Sequence, residues 1–147
     1  MKISDVLAAK GPRVVTTWPS KNVSHILKVF DERNIASLVV TDGAGMPLGM
    51  VTDRLVLRAL SRHGAEALDM SAADVMLAPA PSCTKETSIS DALRFMTEER
   101  VRHLVVLEDG RMAGLVSIGD LVKARLQDAE MEGRVLREMA LGHLAAE

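Results

Sequence analysis

Gly114-Leu115-Val116-Ser117-Ile118-Gly119-Asp120 sets a hydroxyl, a glycine and a carboxylate where an apolar run gives way to a helical pattern. A strand ending at a helix N-terminus presents free N–H groups and a partial positive charge, an arrangement that attracts anions. The Ser117 hydroxyl can donate to a phosphate or sugar oxygen. Gly119 permits a ligand's close approach, and Asp120 can accept two hydrogen bonds from the vicinal hydroxyls of a ribose. The same Ser-x-x-Asp spacing also forms a capping box, with Ser117 as N-cap and Asp120 reaching back. On the residues alone both readings stand.

A second junction, Gly49-Met50-Val51-Thr52-Asp53-Arg54-Leu55, keeps the glycine and the hydroxyl but has Leu55 where the other has Asp120. Leu55 cannot pair with ribose hydroxyls. Arg54 places a cation at this junction, and Arg102-His103 opens a predicted strand from which a basic pair could face a phosphate. Each of these also reads as an ordinary solvated charge. Other chemistry is thin. Cys83 has no histidine near it in sequence, and His25, His63, His103 and His143 show no pair at metal-ligand spacing. H-E-x-x-H, G-x-S-x-G, Walker and G-x-G-x-x-G patterns are absent, so the expectation is a protein that is not an enzyme and binds no metal.

The elements that must carry these junctions are written twice. Ile35-Ala36-Ser37-Leu38-Val39-Val40 returns as Val101-Arg102-His103-Leu104-Val105-Val106. Upstream, Val23, Ile26, Leu27 and Phe30 form one stripe of an amphipathic helix, matched by Ile89, Ala92, Leu93 and Met96. Asn22 and Ser88 suit the N-caps of these helices. Strands are expected at Val14–Thr17, Ser37–Thr41 and Leu48–Val51, and again at Ser82–Thr84, His103–Leu107 and Met112–Val116. A second helix closes each unit, over Asp53–Arg62 and Gly119–Met131. The spacing therefore predicts an α+β fold of two β-α-β-β-α repeats, 1–66 and 67–127, with a helical tail at 128–147. The tail's Met131, Val135, Met139 and Leu141–Leu144 are expected to lie against the protein's own body or a second subunit.

Composition narrows the function. The chain has 147 residues, 48% of them apolar, enough for a packed core. Basic and acidic residues number 18 and 20, which argues against a polybasic nucleic-acid or membrane-surface protein. Aromatics are 2%, leaving almost no rings to stack on bases. No run reaches the ~20 apolar residues of a membrane span, and no signal peptide is evident, so no membrane insertion and a cytoplasmic location are expected. Cys83 is the single cysteine, so no internal disulfide can form, and a redox switch at this thiol is the weakest functional idea.

With Asp5-Val6-Leu7 and Asp74-Val75-Met76 leading into the repeats, and the motif ending at Ser117 and Asp120, the chain resembles a tandem pair of CBS (cystathionine β-synthase) domains. Such a pair is called a Bateman module. The resemblance covers Ile3 to Gln127. It implies two repeats related by pseudo-twofold symmetry with two clefts between them, adenine-nucleotide ligands (AMP, ADP, ATP or NAD(H)), homodimerisation, and a regulated enzyme or transporter addressed in trans. Carried over residue by residue, it makes Ser117, Gly119 and Asp120 the centre of one site, with Thr16, Thr17, Ile35 and Ala36 lining its base pocket. Trp18 beside that pocket would report ligand by fluorescence. Thr52, Arg54, Arg102 and His103 would form a second site, weakened or empty because Leu55 departs from the pattern. The alternative is a ligand-independent dimerisation or scaffold module in which Ser117 and Asp120 only cap a helix.

Overall fold

The computed structural model describes residues 1–146, with side chains through Gly142; the side chains of His143 and Leu144 lie outside the described residues. In chain order the elements are α1 (Ile3–Lys10), β1 (Thr16–Thr17), α2 (Val23–Arg33), β2 (Ser37–Thr41), β3 (Pro47–Thr52) and α3 (Asp53–His63). A 3₁₀ turn (Gly64–Asp69) follows, then α4 (Ala72–Val75), β4 (Ser82–Thr84), α5 (Ile89–Glu99), β5 (His103–Glu108), β6 (Arg111–Ser117) and α6 (Ile118–Ala146).

Local signals account for most of these boundaries. The Asn22 carboxamide oxygen accepts the His25 N–H at 2.9 Å, and the Ser88 hydroxyl oxygen accepts the Asp91 N–H at 3.0 Å, so each striped helix starts on its cap. The stripes bury Val23, Ile26 and Phe30 in α2 and Ile89, Ala92 and Met96 in α5. Both helices end in a left-handed residue, Asn34 (φ 53°) and Arg100 (φ 56°), at matching positions of the two repeats.

Each unit holds a three-stranded sheet, β1-β2-β3 or β4-β5-β6, with the first pair parallel and the second antiparallel. The central strands are buried on both faces, which fits their unbroken Val/Leu runs. One face of each sheet packs on its helices. The other meets the second sheet in an interface of Val39, Met50, Ala80 and Val105, flanked by Val14, Leu107, Met112 and Leu115. Val39 pairs across its ladder with Met50 and Val105 with Leu115, so the two sheets contribute equivalent residues to the seam.

The lead-in segments are exchanged. Ile3, Val6 and Leu7 of α1 lie in the core of the second unit, while Ala72 and Val75 of α4 lie in that of the first. Matching bridges, Lys2 with Ser88 and Asn22 with Ser71, tie each lead-in to the helix start of the other unit. The lead-in assigned by sequence order to the first repeat thus belongs physically to the second. The motif glycines make room for this exchange. A Cβ on Gly114 would come within 2.6 Å of the Leu7 side chain, and one on Gly49 within 2.6 Å of Met76 and 2.9 Å of the Leu77 carbonyl oxygen.

The tail continues the last helix without a break, giving α6 29 residues and a length of ~43 Å at 1.5 Å per residue. Among the described residues only its start is packed: Leu121 is fully buried, Ala124 joins the second core, and Arg125 donates to the Ser90 hydroxyl at 2.8 Å.

Candidate functional site

Both strand-to-helix junctions are capped by their hydroxyl residue. The Leu55 N–H donates to Thr52 Oγ1 at 3.3 Å, and the Asp120 N–H donates to Ser117 Oγ at 3.1 Å. The second junction closes a full box, because the Ser117 N–H also donates to Asp120 Oδ2 at 2.8 Å. Leu55 has no carboxylate with which to return that bond. The capping role is therefore real at Asp120, and it uses one carboxylate oxygen; Oδ1 carries no hydrogen bond among the described residues.

Asp120 faces a cleft of about 570 Å³ between the units. Ser117, Leu115 and His103 of the second unit form one wall, and Asn34, Ile35, Ala36 and Ser37 of the first form the other. Lys10, Gly11, Arg13 and Val15 close it along the segment joining α1 to β1. The Lys10 ammonium donates to Asp120 Oδ2 at 2.6 Å and to the Leu115 carbonyl at 2.8 Å. Burial raises the Asp120 pKa, but the Lys10 ammonium and the Ser117 N–H outweigh it and hold the carboxyl below its ordinary value. Asp120 is therefore ionised at neutral pH, the form that accepts hydroxyl donors.

A second cleft, of about 360 Å³, lies at the other junction, lined by Thr52, Arg54 and Leu55 and by Arg102 and His103. Arg58 and Arg100 join them, so four guanidinium groups border one cavity beside Asp53 and Glu99. None of the four forms a salt bridge among the described residues. Leu55 occupies the place Asp120 holds in the first cleft. This cleft is equipped to hold phosphate groups and lacks the carboxylate at that place. His103 borders both cavities, and burial followed by the Arg102 charge lowers its pKa, so it is neutral near pH 7.

Several expected site residues lie elsewhere. Thr16 is exposed, Thr17 is turned into the core with its hydroxyl unpartnered, and neither borders the cleft. The chain enters β1 from the cleft side, so the preceding residues, Lys10 to Val15, are the ones that border it. Gly119 is likewise outside the lining, although a Cβ there would meet only Ser117 Oγ at 3.6 Å, so the protein leaves that approach open. Trp18 is 52% exposed and lies on Gly43 in the β2–β3 turn, away from both clefts. Sequence reasoning missed Lys10, Arg13, Arg58 and Arg100. Arg58 was legible, one helical turn beyond Arg54; Lys10 was not, because its partner lies far along the chain.

Cys83 packs against the second core, and burial pushes its thiol up to about 11, leaving it protonated and poorly nucleophilic at neutral pH. No group of three or more His, Cys, Asp or Glu that could hold a metal gathers among the described residues. No described helix is long and apolar enough to cross a membrane.

Two repeated α+β units, stacked sheet to sheet with a capped motif facing a cleft on each side, define a tandem two-repeat module. The family is shown directly: the model of the CBS domain matches twice, over residues 3–62 and 72–127, and the chain belongs to that family. A CBS-domain containing protein from Agrobacterium tumefaciens is 35% identical, with a TM-score of 0.82 over 85% of this chain and 99% of its own. The mitochondrial CBS domain-containing protein CBSX3 of Arabidopsis thaliana is 32% identical over 138 residues, 88% of this chain and 67% of the relative. A CBS domain protein from Pyrobaculum aerophilum, solved in complex with AMP, shares the fold at 22% identity and a TM-score of 0.69, over 82% of this chain and 89% of its own.

Proposed function

We propose that this chain is a regulatory module that takes an adenine nucleotide, or a related adenosyl ligand, in the cleft at Ser117 and Asp120, and signals to an enzyme or transporter in trans as a homodimer. One observation carries the reading: the ionised Asp120 and the Asn34–Ser37 segment face the same cleft from different units. Oδ1 of Asp120 is available to a ribose diol, Ser117 and the α6 N-terminus to oxygen or phosphate, and Lys10 and Arg13 to a negative charge. The AMP complex of the Pyrobaculum protein supports an adenosyl ligand in this fold. A ligand spanning both walls ties the units together, and by linkage any partner that senses the change alters ligand affinity equally. In the second cleft the four arginines favour phosphates, while Leu55 makes ribose binding weak.

The test is calorimetry with AMP, ADP, ATP and NAD(H), together with mass spectrometry of the natively purified protein for a bound nucleotide. Losing hydrogen bonds to a charged group costs about 1.5–3 kcal/mol, so Asp120→Ala is expected to weaken binding roughly ten- to hundredfold. Binding unchanged in Asp120→Ala overturns the assignment. The intact Ser117–Asp120 box favours the second reading, a ligand-independent scaffold. That reading holds if no nucleotide shifts the melting temperature while Asp120→Ala lowers it.

A further inference from the structure

We propose that α6 runs beyond the body as one strand of a parallel, two-stranded coiled coil with a second copy of this chain. This gives the inferred homodimer an interface, and it rests on that reading. Val122, Leu126, Ala129, Gly133, Leu136 and Ala140 recur alternately four and three residues apart, the spacing of a coiled-coil seam. The large seam residues turn away from the packed side of the helix: Val122 is 53% exposed, Leu126 59% and Leu136 65%, while Leu121 is fully buried and Ala129, between them, borders a hollow with Met1, Ile89 and Ser90. A Cβ on Gly133 would meet nothing within 4 Å. The small residues at three seam positions let two helices approach closely, and Leu126 and Leu136 supply the bulk between them.

Charge selects a second copy and its orientation. Arg125 and Glu132 flank one side of the seam, Glu130 and Arg137 the other. In a parallel, in-register pair Arg125 faces the partner subunit's Glu130, and Glu132 faces the partner subunit's Arg137. Twofold symmetry repeats each attraction. An antiparallel pair with Leu126 against Leu136 would instead bring Glu130 against Glu130 and Glu132 against Glu132. Arg125 already donates to Ser90 at 2.8 Å, but its guanidinium has further donors to offer. Met131 and Val135 are exposed apolar residues at neither a seam nor a seam-flanking position and provide the internal control.

The experiment is light scattering and sedimentation of the full chain over a range of concentrations, with circular dichroism to monitor folding. The wild type is expected to be a dimer, and the Leu126→Glu, Leu136→Glu double variant a folded monomer. Glu132→Arg is expected to weaken the dimer about tenfold or more, and adding Arg137→Glu in the same chain to restore it. The charge-swap series needs no change to the seam, so it decides the matter even if the double variant fails to fold. A dimer that survives Leu126→Glu with Leu136→Glu, one lost instead in Met131→Glu with Val135→Glu, or a swap that restores nothing overturns this interface while leaving self-association in place. A monomeric wild type overturns both.

Discussion

The Lys10 ammonium lies 2.6 Å from Oδ2 of Asp120, although the two residues are 110 positions apart in the chain. Lys10 ends α1, the lead-in helix packed into the second unit, so the exchange itself delivers a cation to the motif carboxylate. At the matching edge of the other sheet the seal is made by backbone: the Leu77 N–H donates to the Met50 carbonyl at 2.9 Å, and the Met50 N–H donates back at 3.0 Å. The second lead-in carries no cation between Asp74 and Pro81, and its motif has Leu55 instead of a carboxylate. At the motif position itself the first cleft thus carries an ion pair and the second only Leu55, although arginines border both.

Lys10→Ala is expected to cost little stability, about 0–1 kcal/mol, because both partners remain partly exposed and water screens the pair. Its effect falls on the ligand. Affinity for AMP should drop several-fold more than affinity for adenosine, since the ammonium serves the negative charge and Asp120 serves the sugar. Equal losses for both ligands in calorimetry would exclude that division of labour.

The lowered pKa of Asp120 sets a pH window. A carboxyl with a depressed folded-state pKa contributes stability above its unfolded value, about 3.9, and loses it as the pH falls through the folded value. The wild type should therefore be more stable than Asp120→Asn at pH 6, with the gap closing below about pH 4. Denaturant titrations at both pH values measure it, and a gap that stays constant contradicts the ion-pair account.

Gly49→Ala and Gly114→Ala test the exchanged lead-ins. Both insert a methyl into a packed contact, a change that typically costs about 1–3 kcal/mol. Gly49→Ala should be the worse, because its Cβ meets the Leu77 carbonyl at 2.9 Å as well as Met76, whereas Gly114 meets only the movable Leu7 side chain. Thermal melts that reverse this order would show that the α1 contact is the more rigid of the two.

Leu55→Asp should give the second cleft a diol acceptor and add or strengthen a second nucleotide equivalent by about tenfold, the scale of one hydrogen bond to a charged group. Arg54→Ala with Arg102→Ala should then weaken ATP more than adenosine. No change in stoichiometry or affinity after Leu55→Asp would mean that the missing carboxylate is not what limits this cleft.

The helices and strands of the two repeats, with their caps, were legible in the chain because each depends on residues a few positions apart; the short lead-in helices α1 and α4 were not read as helices. The Val23–Phe30 stripe needs only its own period, and the Asn22 and Ser88 caps only the first turn they start. The Ser117–Asp120 box was legible for the same reason. The proposed double use of Asp120, cap and ligand acceptor, needs the second carboxylate oxygen that the box leaves unbonded. The tail's continuation of the last helix was also readable, since no glycine-proline break interrupts it.

Thr16 and Thr17 show where that legibility stops. The family resemblance placed them at the cleft, but Lys10, Gly11, Arg13 and Val15, on the segment just before β1, border it instead. Arg100 reaches the second cleft from a left-handed helix cap, beside Arg54 and Arg58 of the other unit. The sequence by itself determined two β-α-β-β-α units, their capped motifs and the loss of one motif carboxylate at Leu55. Only the tertiary structure decided that α1 crosses into the second core, that Lys10 meets Asp120, and that four arginines share one cavity. Those contacts join residues far apart in the chain, and they depend on how two apolar sheet faces and two exchanged helices fill a common core, which no local pattern specifies.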